Sequence, residues 1–185
     1  MNKSLIALLL GSLTLAACAS TEPKEKPLPI PVEDEFPTES SAGNTTLEVA
    51  YIALNDNGAN GPLVGCGDSE VLVELTAEGD LNSKERIKAA LEKLFADKEQ
   101  NKESSGLYNA VYQSSLTVDE VTVSKSEVNV TLSGETILGG ECDDPRFVDQ
   151  IKATVQNNLD QDFPGTIHIT INGKDLEKIQ DLSGN

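Results

Sequence analysis

The chain has 185 residues, with 31 acidic against 14 basic, a net charge of −17, no tryptophan, 4% aromatic residues, three cysteines and one histidine. That charge excludes nucleic acid, whose binding rests on Lys and Arg neutralising phosphates, and it repels anionic lipid headgroups. The scarcity of aromatic side chains argues against an aromatic-lined sugar cleft, and the length suits one folded domain.

The opening stretch, MNKSLIALLLGSLTLAAC, sets Lys3 before an apolar run from Leu5 to Leu15, followed by the small residues Ala16 and Ala17. The run is about eleven residues, too short to span a bilayer comfortably. This is the layout of a secretory signal peptide over residues 1–17. Leu15-Ala16-Ala17-Cys18 resembles a bacterial lipobox. The resemblance implies cleavage before Cys18, diacylglyceryl attachment to its thiol, and acylation of the new amino terminus with a palmitate-type chain. Two or more acyl chains anchor a protein stably, where one does so only marginally. The other reading is an ordinary signal peptide with Cys18 left as a free thiol, for which there is no evident use. Ala19 in place of Asp fits sorting to the outer membrane in a two-membrane host; otherwise the cell membrane is expected. In both cases the protein faces the extracytoplasmic side. Cleavage removes Lys3 and leaves 13 basic against 31 acidic residues, a net charge near −18.

Residues 18–46 read as an acidic, Pro-rich tether. They hold five of the eight prolines, and Pro27, Pro29 and Pro31 favour extended polyproline II. No apolar periodicity suggests a packed element there.

The folded domain is expected over 47–185. LEVAYIAL (47–54) is a strand candidate, and NDNGANGPLVGCGD (55–68) is a turn-rich loop. Residues 69–77 alternate Val71, Val73 and Leu75 with polar neighbours, a half-buried strand. Asn82 and Glu85 fit a capping box at the start of a helix over 82–97, whose stripe is Ile87, Ala90, Leu91, Leu94 and Phe95. LTVDEVTV (116–123) and EVNVTLS (127–133) flank Ser124-Lys125-Ser126 as a hairpin. The apolar phase slips between Val118 and Val121, which predicts a bulge. A second helix is expected to open with Asp144 as N-cap and Pro145 at the first helical position. Its buried face is Phe147, Val148, Ile151, Val155 and Leu159. TIHITI (166–171) is a strand with Ile167, Ile169 and Ile171 on one face, followed by the turn signal Asn172-Gly173. The order ββαββαβ predicts an α+β fold: a mixed, mostly antiparallel sheet with two helices packed on one face.

Cys66 and Cys142 lie 76 residues apart in Gly-rich, acidic surroundings. In an exported chain whose Cys18 is acylated they are an even pair, and a disulfide is expected. The loop-entropy relation assigns such a bridge roughly 4–5 kcal/mol. Zinc needs more ligands than two cysteines and the lone His168 supply. A nucleophilic cysteine needs a neighbouring base, for which His168 is again the only imidazole. Glycines 58, 61, 65 and 67 lack the G-K-[ST] and the following helix of a phosphate loop. The carboxylates near the cysteines are Asp68, Asp143 and Asp144; bridging would gather Asp68 and Asp143 into an acidic patch. Calcium-loop spacing is absent, so no metal or other cofactor is expected. Asn44-Thr45-Thr46 and Asn129-Val130-Thr131 match N-glycosylation acceptors, a coincidence in a chain with a bacterial lipobox.

Four ordered stretches, GCGDS, GLYNAVYQSSL, GGECDDPR and FPGTIHITINGKDL, together resemble the GerMN domain of sporulation and spore germination proteins, over about residues 47–182. The resemblance implies a small α+β module carried on lipoproteins or membrane-anchored envelope proteins, with no catalytic residues to carry over. It does not by itself transfer a sporulation role. The functional expectation is a non-catalytic, lipid-anchored envelope protein whose domain acts as a protein-interaction or assembly module with an envelope protein partner. Two other readings are a lipoprotein that binds a small ligand or cation, and an inhibitor of an envelope hydrolase.

Overall fold

The computed structural model describes residues 43–102 and 105–181, with side chains as far as residue 178. The signal peptide, Cys18 and the tether up to residue 42 lie outside the described residues.

Alternation of apolar and polar residues builds the first sheet. β1 (Asn44–Ala53) pairs antiparallel with β3 (Asp68–Glu78), with Leu47 opposite Leu75 and Val49 opposite Val73. The two-residue β2 (Leu63–Val64) pairs with the start of β3, giving the order β1-β3-β2. β1 starts at Asn44 rather than Leu47, so the last residues assigned to the tether belong to the sheet.

α1 (Ser83–Ala96) follows. The Glu85 amide donates to Asn82 Oδ1 at 3.2 Å, and the Asn82 amide donates to Glu85 Oε2 at 3.0 Å, closing the expected capping box. Such a cap contributes about 1 kcal/mol. Ile87, Ala90, Leu91, Leu94 and Phe95 are all buried.

β4 (Ser115–Val123) and β5 (Glu127–Glu135) form the hairpin, and their register shifts between Val118 and Glu120, where the sequence phase slips. β6 (Thr166–Ile171) runs parallel to β5, as the intervening helix α2 (Asp143–Asn157) requires. The short β7 (Lys174–Asp175) returns antiparallel to β6 and leads into a 3-10 segment, Leu176–Asp181. The architecture is α+β, with strands divided into two sheets, β1-β3-β2 and β4-β5-β6-β7.

The division has a physical cause in α2. Phe147, Ile151 and Val155 make its apolar face. A second row, Arg146, Gln150, Thr154 and Asn158, is polar, spaced by four residues, and turned inward. Gln150, Thr154 and Asn158 are buried. The Ala50 amide donates to Thr154 Oγ1 at 3.1 Å, and the Glu48 amide to Asn158 Oδ1 at 3.2 Å, while Asn158 Nδ2 donates to the Glu48 carbonyl at 2.6 Å. Gln150 accepts from the Ala110 amide at 2.8 Å. Ile52 completes the edge by exchanging main-chain bonds with Tyr108 at 3.0 and 2.7 Å. Helix side chains thus occupy the edge of β1 where a further strand would add, and the hairpin starts its own sheet. Buried main-chain groups left without such partners would cost about 1–3 kcal/mol each. Both sheets and both helices share one core, with Leu47, Val49, Ile87, Leu91, Leu132, Phe147, Ile151 and Ile171 fully buried.

Candidate functional site: the bridged corner

Cys66 and Cys142 are joined in a disulfide, with their Cα atoms 5.9 Å apart, within the usual span for such a bond. Neither is a thiolate available for metal binding or attack. The bridge ties a tight 3-10 turn, Gly65–Gly67, to the start of α2. That turn needs its glycines. Cys66 and Gly67 both have left-handed φ, 67° and 76°, a region glycine enters without penalty. A Cβ on Gly65 would lie 2.6 Å from Pro145 Cγ.

Asp144 does not cap α2. Cys142 holds the N-cap position with helical dihedrals and no side-chain cap bond. Asp143 and Asp144 both fall inside the first turn, where negative charge meets the positive end of the helix dipole. The Asp143 carboxylate, which lies ahead of Asp144, is engaged elsewhere.

Asp68 and Asp143 are brought together, but not as an exposed acidic patch. Arg146 lies between them. Its Nε donates to Asp68 Oδ2 at 2.6 Å and its Nη1 to Asp143 Oδ1 at 3.0 Å. The Asp68 side chain is 0% exposed and that of Asp143 6%. Asp68 Oδ1 accepts from the Asn55 amide at 2.8 Å. Asp143 Oδ2 accepts from the Tyr108 hydroxyl and the Gly139 amide, each at 2.9 Å. Burial drives both carboxylates to these partners, because an unpaired buried charge is costly. Burial pulls the Arg146 guanidinium down, but its hydrogen bonds to Asp68 and Asp143 and their charges outweigh this and hold it above its ordinary value. Burial first, then the carboxylate it donates to, pushes the Tyr108 phenol up to about 12. The guanidinium also lies 5.3 Å from the Tyr108 ring centroid.

Tyr108, Gln150 and Arg146 were not singled out in the sequence. The i, i+3 spacing of Asp143 and Arg146 in DDPR was the available signal. Beside the bridge runs an open groove of about 550 Å³, lined in part by Tyr108, Tyr112, Gln100, Gln113 and Arg146. It gathers two of the three tyrosines of an aromatic-poor chain. His168 stands on β6 with Nε2 3.9 Å from Glu127, a mostly exposed side chain. Among the described residues, no group of three or more His, Cys, Asp and Glu side chains is placed to hold a metal ion. Among the described residues, no helix is long and apolar enough to cross a membrane.

No family model matches the chain, and no curated protein matches it. Among solved structures it is similar to the tandem GerMN domains of the sporulation protein GerM from Bacillus subtilis, at 17% identity and a TM-score of 0.42. The similarity covers 77% of this chain and 43% of that one, so the chain spans less than half of its length.

Proposed function

We propose that this chain is a non-catalytic, lipid-anchored protein of the bacterial cell envelope, held by Cys18, whose domain serves as a protein-interaction or assembly module. The observation that carries the reading is the Cys66–Cys142 bridge, in a chain whose first residues resemble an export signal. Structural disulfides persist outside the cytosol, so bridge and lipobox point to one compartment. At the bridged corner the two carboxylates, the guanidinium and the phenol are all spent on each other, which suits a rigid frame better than a reacting site. The Pro-rich tether would hold this frame off the membrane. The test is metabolic labelling with an alkyne fatty acid, followed by cross-linking in intact cells. Label lost on Cys18→Ser, together with a discrete cross-linked partner, supports the reading; an unlabelled chain with no partner overturns it.

A second reading, a small-ligand lipoprotein, is favoured by the groove beside Tyr108 and Tyr112. Calorimetry with muropeptides tests it, and flat traces reject it.

A further inference from the structure

Among the described residues the two sheets have four outer edges, and three are guarded. α2 and Tyr108 seal β1. β2 covers the start of β3, and exposed Glu74 and Glu78 charge the rest. The bulge at Asp119 and the adjacent Glu120 interrupt β4. Bulges and charges are the usual means of keeping an edge from pairing. The fourth edge is β6, where β7 pairs only with Thr170 and Ile171. The remaining stretch, Thr-Ile-His-Ile at residues 166–169, has high β propensity and no proline, lysine or carboxylate.

The main-chain direction there is fixed. The amides of Thr166 and Asn172 donate to Ser126 and Leu132 carbonyls on the β5 side, at 3.0 and 2.9 Å. Alternation therefore turns the amide and carbonyl of Ile167 away from β5, and among the described residues no hydrogen bond takes them. Beside this stretch is a groove of about 330 Å³ between β6 and the turn at Leu176, with Ile167, Ile169 and Leu176 in its wall. Lys152 at its rim is already paired with Glu177 at 2.5 Å.

We propose that Thr166–Ile169 is a docking edge that accepts an extended strand from a partner protein, apolar at its centre and flanked by Lys or Arg. Strand addition supplies main-chain hydrogen bonds, and the adjacent groove takes an apolar side chain from the incoming strand. Charge selects the occupant. Two copies of a chain carrying −17 repel each other, whereas basic flanks are drawn to that net negative charge, with half-exposed Glu127 beside the edge. The proposal rests on the reading of the domain as an interaction module and names the surface it uses.

The test uses the full mature chain in detergent micelles and a synthetic peptide, Lys-Lys-Thr-Val-Thr-Val-Thr-Lys-Lys. Amide exchange is followed by NMR. The peptide should slow exchange of the Ile167 amide by at least about tenfold, the effect of one or two new hydrogen bonds. A fully N-methylated peptide should have no effect, and acidic flanks should abolish protection. Ile167→Pro removes the outward-facing donor together with part of the groove wall and should lower peptide affinity about tenfold or more; the methylated peptide on the unaltered chain tests the main-chain bonds alone and independently of that variant's folding. No protection at Ile167, protection at β3 or β4 instead, equal binding of the acidic-flanked peptide, or a free chain that already pairs with itself through β6 would each overturn the proposal. Lipid labelling and a cross-linked partner that persist with any of these results would leave the envelope-module reading standing and remove only this edge from it.

Discussion

Replacing Arg146 with Met removes the cation between two buried carboxylates while keeping much of the side-chain volume. Asp68 is fully buried and Asp143 nearly so, and among the described residues Arg146 is the only cation bonded to either. Removing one partner of a buried ion pair costs about 3–5 kcal/mol, because the remaining charge is left uncompensated. The lost contact with Tyr108 adds about 0.5–1 kcal/mol. Against a domain stability of about 5–15 kcal/mol, the variant should stay folded but marginal. The assay is urea unfolding at neutral pH, bridge intact, followed by far-ultraviolet circular dichroism. A triple variant, Asp68→Asn, Asp143→Asn and Arg146→Met, removes all three charges together. Its amides still accept from Asn55, Tyr108 and Gly139, so it should recover at least about 2 kcal/mol of the single variant's loss. If Arg146→Met alone costs less than about 1 kcal/mol, the range of exposed pairs, the corner is not the sealed charge cluster described.

Reduction of the Cys66–Cys142 bridge should lower stability by about 4 kcal/mol in the same assay, while the Asp68–Arg146 pair keeps the native amide spectrum; a loss under about 1 kcal/mol would contradict the tie. Asn158→Leu strands the main-chain groups of Glu48 and should cost about 2–4 kcal/mol with faster exchange of the Glu48 amide; a neutral outcome would remove the sealing role of α2. Burial, then the Asp149 charge, holds the Glu70 carboxyl above its ordinary range. A raised folded value means that its favourable contribution is present below the unfolded pKa, about 4.3, and is lost as pH rises through the folded value. Glu70→Gln should therefore raise the thermal midpoint at pH 7 and not at pH 3, and a larger gain in acid would refute the assignment.

Local chemistry was legible where it is written in neighbouring residues. Asn82 and Glu85 cap α1 because both halves of the box lie within one turn. The slip between Val118 and Val121 shows as a bulge because strand phase is a two-residue property. The α2 row was hidden, since Arg146, Gln150, Thr154 and Asn158 have the composition of a solvated face. Only the fold reveals that Thr154 and Asn158 meet the edge of β1, whose bonded residues lie 104 and 110 positions upstream. Asp144 looked like a cap because Pro145 follows it, but Cys142 is carried into the N-cap position at the bridge, and Asp143 turns to Arg146. The even pair of cysteines identified the bridge's ends. The pattern did not disclose that Asp68 and Asp143 would share one arginine, or that Tyr108 would lie across it.

Intact mass spectrometry of the chain extracted from native membranes tests most directly the proposal of an exported, lipid-anchored domain closed by one bridge. The expected mass is that of a chain beginning at Cys18, heavier by a diacylglyceryl group and an acyl chain, and gaining two hydrogens on reduction. A chain beginning at Met1, a Cys18 without lipid, or two free thiols in the domain would contradict it.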